Sequence, residues 1–299
     1  MTRMPTRPLR AALGDYPHTA PIKSGEIAAD GVAFEFAAVK PISRAFAAMV
    51  REQKFDVSEI AIATFLMAKA YGIPLVLVPA VMLGRFQHGA MLCNAERGRL
   101  TPADLPGKII GVRAYSQTTG LWLRGILEDD YGVDVATIRW VTFEGAHVAQ
   151  YEDPPGVVRA APGSDMTTML LAGEIDAAIY GADMPKDPRL VGVVADPDRE
   201  ASHWYDRHGI VPVNHLVCVT AALAQRDPGA VVAVYEALRR AKAAAGLPKD
   251  GMIDLVPFGV AALRRPLELA IRYATRQKLL PRPLTVDELF DDTTRAMAD

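Results

Sequence analysis

Apolar and polar positions fall into short blocks of two kinds along the first third of the chain. Leu9 to Leu13 is an apolar run of strand length that stops at Gly14-Asp15-Tyr16, and Phe34-Glu35-Phe36 alternates as a second strand. From Pro41 to Glu52 the apolar positions Ile42, Ala45, Phe46 and Met49 recur at helical spacing. Phe55 to Ile60 reads as a strand that runs into a helix from Ala63 to Tyr71, closed by Gly72. Pro74 to Val81 and Gly89 to Cys93 read as buried strands.

After Asn94 the pattern changes. Glu96 to Arg99 is polar, and a new strand-helix unit starts at Lys108. Further strands are expected at Ile138–Phe143, Ile175–Tyr180, Leu190–Val194 and Leu216–Thr220, with a helix at Asp165–Leu171 ending at Gly173. His203 to Val213 is polar and aromatic. The last third reads as helices at Gly229–Ala245, Val260–Lys278 and Val286–Met297. Alternating strands and helices with short connections predict an α/β protein with mainly parallel sheets. The changes of character near 95–105 and 200–215 predict two lobes. Residues 1–98 and 205–299, with the C-terminal helices, form the first, and 99–204 the second. Ligands of such sheets sit at the carboxyl ends of strands, which here means the cleft between lobes.

The most informative stretch is 105–125. Ile109, Ile110 and Val112 form a short strand, Tyr115-Ser116-Gln117-Thr118-Thr119 a polar turn, and Leu121, Leu123 and Ile126 the apolar face of a helix. The first N–H groups of that helix lack internal partners, and its dipole favours negative charge. With the hydroxyls they form a cradle for a carboxylate or phosphate. An ordinary N-cap serving its own helix is the alternative.

Composition narrows the function. The chain has 299 residues, half of them hydrophobic, enough for one large domain or two lobes with real cores. A net charge of −2 gives no footprint for nucleic acid. Arg239-Arg240 and Arg264-Arg265 read as solvated helix faces. Cys93 and Cys218 lie in apolar runs and read as buried thiols, with no metal-ligand spacing. No run approaches the ~18 apolar residues of a membrane span, and the N-terminus lacks a signal-peptide core. If Met1 is the natural start, a cytoplasmic protein is expected. A homo-oligomer is compatible with the sequence.

Candidate polar groups follow the predicted strands. They are Asp15 and His18 after the first, Asp56, Ser58 and Glu59 at the third, and Arg85 and His88 between two strands. Tyr115 to Thr119 cap the middle helix, and Glu144, His147 and Asp183 follow later strands. His215 opens the strand that returns to the first lobe. His18 reads equally as a helix cap, Asp56 and Glu59 as strand-end charges, and His215 as a core histidine. Arg85 offers a bidentate fork for a carboxylate, and His88 can donate or accept a proton near neutral pH.

Two motifs, LPGKIIGV before the Ser/Thr turn and LLAGEIDAAIYGAD at 170–183, resemble the second lobe of type II periplasmic-binding-protein folds. Five others span some two hundred residues in order. They are GDYPHTAPIKSGEI, FDVSEIAIATFL, GRFQHGAMLCN, VRAYSQTTGLWLRGILEDDYGV and HGIVPVNHLVCV. Together they resemble the 4,5-dihydroxyphthalate decarboxylase family. The resemblance implies a two-lobed α/β fold of the type II periplasmic-binding-protein kind, whose cleft binds an aromatic carboxylate and releases CO2 to give protocatechuate. Where the family pattern carries Met-Phe-Arg-His, this chain has Arg85-Phe86-Gln87-His88, which leaves Arg85 and His88 for the basic role. The implied roles are a carboxylate clamp at Arg85, proton supply from His88 or His215, and Asp56 or Glu59 as the next candidates. Asp15, His18, Ser58 and the turn Tyr115, Ser116, Gln117, Thr118 and Thr119 would bind substrate.

Such a reaction needs a held carboxylate, a proton delivered to the ring carbon and an electron-rich ring. The catechol is itself the electron reservoir, so no metal or organic cofactor is expected. No dinucleotide fingerprint or P-loop is present. A non-catalytic solute-binding protein with the same cleft is the main alternative, since one scaffold hosts both functions. A pyrimidine- or thiamin-precursor enzyme on this fold lacks its expected Cys- or His-rich motifs here.

Overall fold

The computed structural model describes residues 7–298. In chain order the elements are β1 (Leu9–Ala12), α1 (Ala20–Lys23), β2 (Phe34–Phe36), α2 (Arg44–Glu52), β3 (Val57–Ala61), α3 (Ile62–Ala70), β4 (Leu75–Gly84) and β5 (Met91–Asn94). Then come β6 (Ile109–Val112), α4 (Thr118–Tyr131), β7 (Arg139–Thr142), β8 (Val157–Arg159), α5 (Met166–Ala172), β9 (Ala177–Ile179), β10 (Leu190–Gly192) and α6 (Pro197–His208). The chain closes with β11 (Val213–Thr220), α7 (Ala221–Arg226), α8 (Pro228–Ala244), α9 (Val260–Arg276) and α10 (Asp292–Arg295). The segment before Arg7, part of the stretch read for a signal peptide, lies outside the described residues. No helix of the described residues is long and apolar enough to cross a membrane.

Two sheets carry the fold. One has the order β2-β1-β3-β11-β4, the other β10-β5-β9-β6-β7-β8. In the first, β1 runs parallel to β3, and β11 runs antiparallel to both β3 and β4. The C-terminal ends of β1, β3 and β4 therefore share one edge. In the second, β6, β7, β8 and β9 are parallel, so the turns after β6, β7 and β9 also share an edge. These two edges carry the segments that follow β1, β4, β6, β7 and β9, with Arg85 directly after β4.

The first crossover lies earlier than the sequence suggests. β5 pairs with β9 and β10, so residues 91–98 stand with the second sheet, not the first. The chain changes sheets between Gly84 and Met91. The polar run at Glu96 is an exposed 3-10 turn, Ala95–Arg97, on the surface of the second lobe. The return lies between His208 and Val213.

Besides the short helices α1 and α7, three further elements differ from expectation. Val157–Arg159 adds an unforeseen edge strand. Pro197–His208 is a helix, capped by Asp196 with Pro197 in its first turn and Gly209 at its end. The last helix breaks into a 3-10 turn, Asp287–Leu289, and α10, because Asp291 accepts the Thr294 N–H and starts a new cap.

One core joins the lobes, with Phe65, Leu66, Trp122, Leu123, Leu267 and Tyr273 meeting where α3, α4 and α9 pack. Trp122 donates its indole N–H to the Val213 carbonyl at 2.8 Å. Gly125 lets the Tyr273 ring lie directly against α4; a Cβ there would stand 2.1 Å from Cδ2 of that ring. A second core lies between the five-stranded sheet and α8.

Candidate functional site

α3 and α4 begin opposite each other. β3 runs straight into α3 and β6 reaches α4 through a short turn, and neither helix is capped by its N-cap side chain. The Ala63 N–H donates to Thr118 Oγ1 at 3.3 Å, so the two N-terminal turns touch. Each presents backbone N–H groups without helical acceptors, and each dipole favours an anion. Thr118, Thr119 and Ser116 are buried there.

Arg85 enters from the C-terminal end of β4. Its Nη1 donates to the Gly181 carbonyl at 3.1 Å and its Nη2 to Thr119 Oγ1 at 2.9 Å. Both partners are neutral. Nε is buried without a partner, as is Oε1 of Gln117. Burial alone pushes the Arg85 pKa down, and among the described residues no carboxylate pairs with it. An arginine held this way keeps a charged fork of donors of the kind that suits a carboxylate.

Glu59, on β3, is wholly buried. Its Oε2 accepts the Gly14 N–H at 2.8 Å, and its Oε1 accepts the Tyr16 hydroxyl at 2.7 Å. Oε1 also lies 2.6 Å from Nδ1 of His215. A carboxylate only accepts, so Nδ1 carries the hydrogen and Nε2 is left for other chemistry. Burial, then the Glu59 charge, pushes the Tyr16 phenol far up, which keeps it a protonated donor. His18 stacks on Tyr16 with centroids 5.1 Å apart. It is no helix cap, since Thr19 holds that position. Burial lowers the His18 pKa, and its Nε2 has no partner.

His147 approaches from the second lobe. Its Nδ1 lies 2.8 Å from Thr64 Oγ1, and its ring meets the edge of Phe46, whose ring also abuts His215. Arg51 on α2 donates to the carbonyls of His147 and Ala146 at 2.7 and 2.9 Å. Burial first, then Arg113, Arg51 and His215, holds the His147 pKa down to about 4.

The structure brings together Glu59, His215 and His18, and separately Arg85 with Thr118, Thr119 and Gln117. Other expected site residues are engaged elsewhere. Asp56 sits at the opposite, N-terminal end of β3, where it accepts the Arg10 N–H at 2.9 Å and pairs with Arg7. Asp15 is half exposed and pairs with Lys23 and Lys40, which hold its pKa at about 2. Ser58 donates to the Glu59 carbonyl at 2.7 Å. His88 is buried against Trp204, with Asp130, Glu200, Arg207 and His208 as its charged neighbours, not beside Glu59. Tyr115 packs beneath Arg124 and against Trp140. Glu144 pairs at the surface with Arg113, and Asp183 is exposed. Sequence reasoning missed Tyr16 and Thr64. Tyr16 stands in the same Gly14–His18 turn as Asp15 and His18, whereas nothing local marks Thr64. Among the described residues, no three His, Cys, Asp or Glu side chains converge in a way that could hold a metal ion.

Comparison with known proteins adds sequence and fold evidence. No family model matches the chain. A 4,5-dihydroxyphthalate decarboxylase from Comamonas testosteroni is 31% identical over 256 residues, 79% of this chain and 75% of that protein. One from Pseudomonas putida is 31% identical over 210 residues, 66% of this chain and 81% of that protein. Among solved structures, a periplasmic sulfonate-binding protein from Methylobacillus flagellatus KT superposes with a TM-score of 0.59. It is 12% identical, and the match covers 98% of this chain and 93% of that one. The likeness is one of fold: two α/β lobes of the periplasmic-binding-protein kind.

Proposed function

We propose a chemistry for this cleft from one premise: the chain belongs to the 4,5-dihydroxyphthalate decarboxylase family. It is a carboxy-lyase, and its substrate is an aromatic dicarboxylate bearing a catechol. The reaction breaks one ring–carboxylate bond, releases CO2 and forms a C–H bond at the same carbon. For 4,5-dihydroxyphthalate the product is protocatechuate. Each carboxylate lies para to a hydroxyl, so electron density from that hydroxyl reaches the carbon that must be protonated.

The substrate carries two carboxylates. One is received at the start of α4, where the Arg85 guanidinium and the backbone N–H groups of 118–120 converge. The other faces the start of α3. In its doubly protonated form His215 supplies the proton to the ring carbon from Nε2, while Nδ1–H stays bonded to Glu59, which fixes the ring. Tyr16 and the Gly14 N–H hold Glu59 in turn. As CO2 leaves, the electron pair of the broken ring–carboxylate bond stays on the ring carbon and forms the new C–H bond with that proton, and solvent reprotonates the histidine.

The observation that carries this reading is the pairing of buried Glu59 with half-buried His215 across β3 and β11, the arrangement an oriented acid needs. The test incubates the purified protein with 4,5-dihydroxyphthalate and follows CO2 and protocatechuate. In heavy water the product should carry one deuterium at the vacated carbon. His215→Gln should stop turnover while phthalate still binds. Tight binding by the wild type without CO2 release would establish a solute-binding protein instead. Full turnover by His215→Gln would move the acid elsewhere.

A further inference from the structure

Arg124 is the most deeply buried cation near the proposed cleft. It lies on α4, two turns from the helix start, and has no exposed surface. Its Cζ stands 4.0 Å over the Tyr115 ring and 5.2 Å from the Trp140 ring. Nη2 donates to the Tyr115 carbonyl at 2.6 Å and Nε to Gln277 Oε1 at 2.8 Å. Gln277 in turn donates to the Leu121 carbonyl at 2.9 Å. Nη1 has no partner, and it points back along α4, 3.0 Å from where a Cβ on Gly120 would stand.

A buried guanidinium is costly unless an opposite charge answers it. Among the described residues no carboxylate reaches ion-pair distance of Arg124. The two acids within electrostatic range are engaged elsewhere, Glu128 with Arg276 and Asp153 with Arg159. Tyr151 is also close, but burial pushes its phenol far up and keeps it neutral. Arg85 is likewise without an acid. The first turn of α4 thus lies between two uncompensated guanidinium groups, one reaching Thr119 and the other underlying Gly120.

We infer that Arg124 is a positioning residue that makes the cleft select a doubly charged aromatic acid over a singly charged one. The inference rests on the carboxylate-binding role proposed above for the start of α4. Arg124 holds the Tyr115 carbonyl, and so the turn that presents the anion site. It also adds a positive charge that, among the described residues, no carboxylate pairs with directly. The substrate brings two negative charges and the product keeps one, so loss of CO2 removes part of the attraction and favours release.

The test measures binding of phthalate and of 3,4-dihydroxybenzoate by calorimetry on the full chain, with wild type, Arg124→Met and Arg124→Lys. Arg124→Met should weaken phthalate by about tenfold, the scale of one partly screened charge at this range. The monocarboxylate should lose less than about threefold, and Arg124→Lys should restore most of the difference. If Arg124→Met does not fold, Arg124→Gln, which keeps a donor toward Tyr115, carries the same comparison. Equal loss for both ligands would show a purely structural role and overturn the inference, as would no loss for either. Neither result touches the decarboxylase reading, which fails only if the wild type releases no CO2.

Discussion

Nδ1 of His215 and Oε1 of Glu59 stand 2.6 Å apart, with the carboxylate wholly enclosed and two further donors on it. An amide at this position cannot accept all three hydrogens, because one of its two terminal atoms is itself a donor. Glu59→Gln should therefore misdirect the imidazole without opening a cavity. The expected result is a fall in kcat of about 10²- to 10³-fold with little change in phthalate affinity. Steady-state kinetics beside calorimetry separates the two; a loss confined to KM would argue that Glu59 binds and does not orient.

Arg85 donates to Gly181 and Thr119 with different nitrogens, a geometry that a lysine cannot copy. Arg85→Lys keeps the charge and should still raise KM by about tenfold, in line with the worth of a charged hydrogen bond. Equal KM values for the two proteins would place the carboxylate elsewhere.

His147 gives stability a pH dependence of definite sign. Its pKa falls from an ordinary 6.5 to about 4, chiefly through burial. Between those values the unfolded chain holds a proton that the folded chain does not. Stability contributed by the neutral ring is thus present above pH 6.5 and is lost as pH falls toward 4, by at most roughly 1.4 kcal/mol per pH unit. His18 and His88 are lowered by burial as well and add to the same slope. His147→Gln, which can still bond Thr64, should flatten the dependence of the urea midpoint on pH. A slope identical to wild type would assign the proton uptake to other groups.

Gly125 tests the packing that joins the lobes. A methyl group there meets the Tyr273 ring at 2.1 to 2.5 Å, and that ring is fully buried. Gly125→Ala should cost about 1–3 kcal/mol by overpacking, more than the helix propensity of alanine returns. A midpoint of denaturation at or above wild type would mean that α9 shifts freely.

Periodicity made the early elements legible because strand and helix patterns are local. β1, β3, α3 and α4 lie close to where the alternation of apolar residues puts them. Pairing is not local. The sequence around Met91–Asn94 reads as a strand but cannot say that its partners are β9 and β10, eighty and more residues on. The site divides in the same way. The Ser/Thr turn at the start of α4 announces itself, whereas Glu59 meets His215 across 156 residues and Arg51 meets His147 across 96. Asp56 and Glu59 look alike in FDVSEIAI. Only the register of β3 against β1 shows that one faces the far end of the sheet and the other the cleft. α6 is readable in principle from Asp196-Pro197 and Gly209, but its polar and aromatic content masks the apolar periodicity of a helix.

β11 lies between β3 and β4, although the whole second sheet separates it from them along the chain. A ribosome making this protein exposes all six strands of that second sheet by Gly192, while the first sheet is still in two unjoined pieces. Those pieces present open strand edges until Thr220 has emerged, and open edges invite pairing with other chains. The lobe that carries the start of α4 thus has all its strands before the other lobe does. The histidine that completes the proposed catalytic pair arrives on the strand that closes the other lobe.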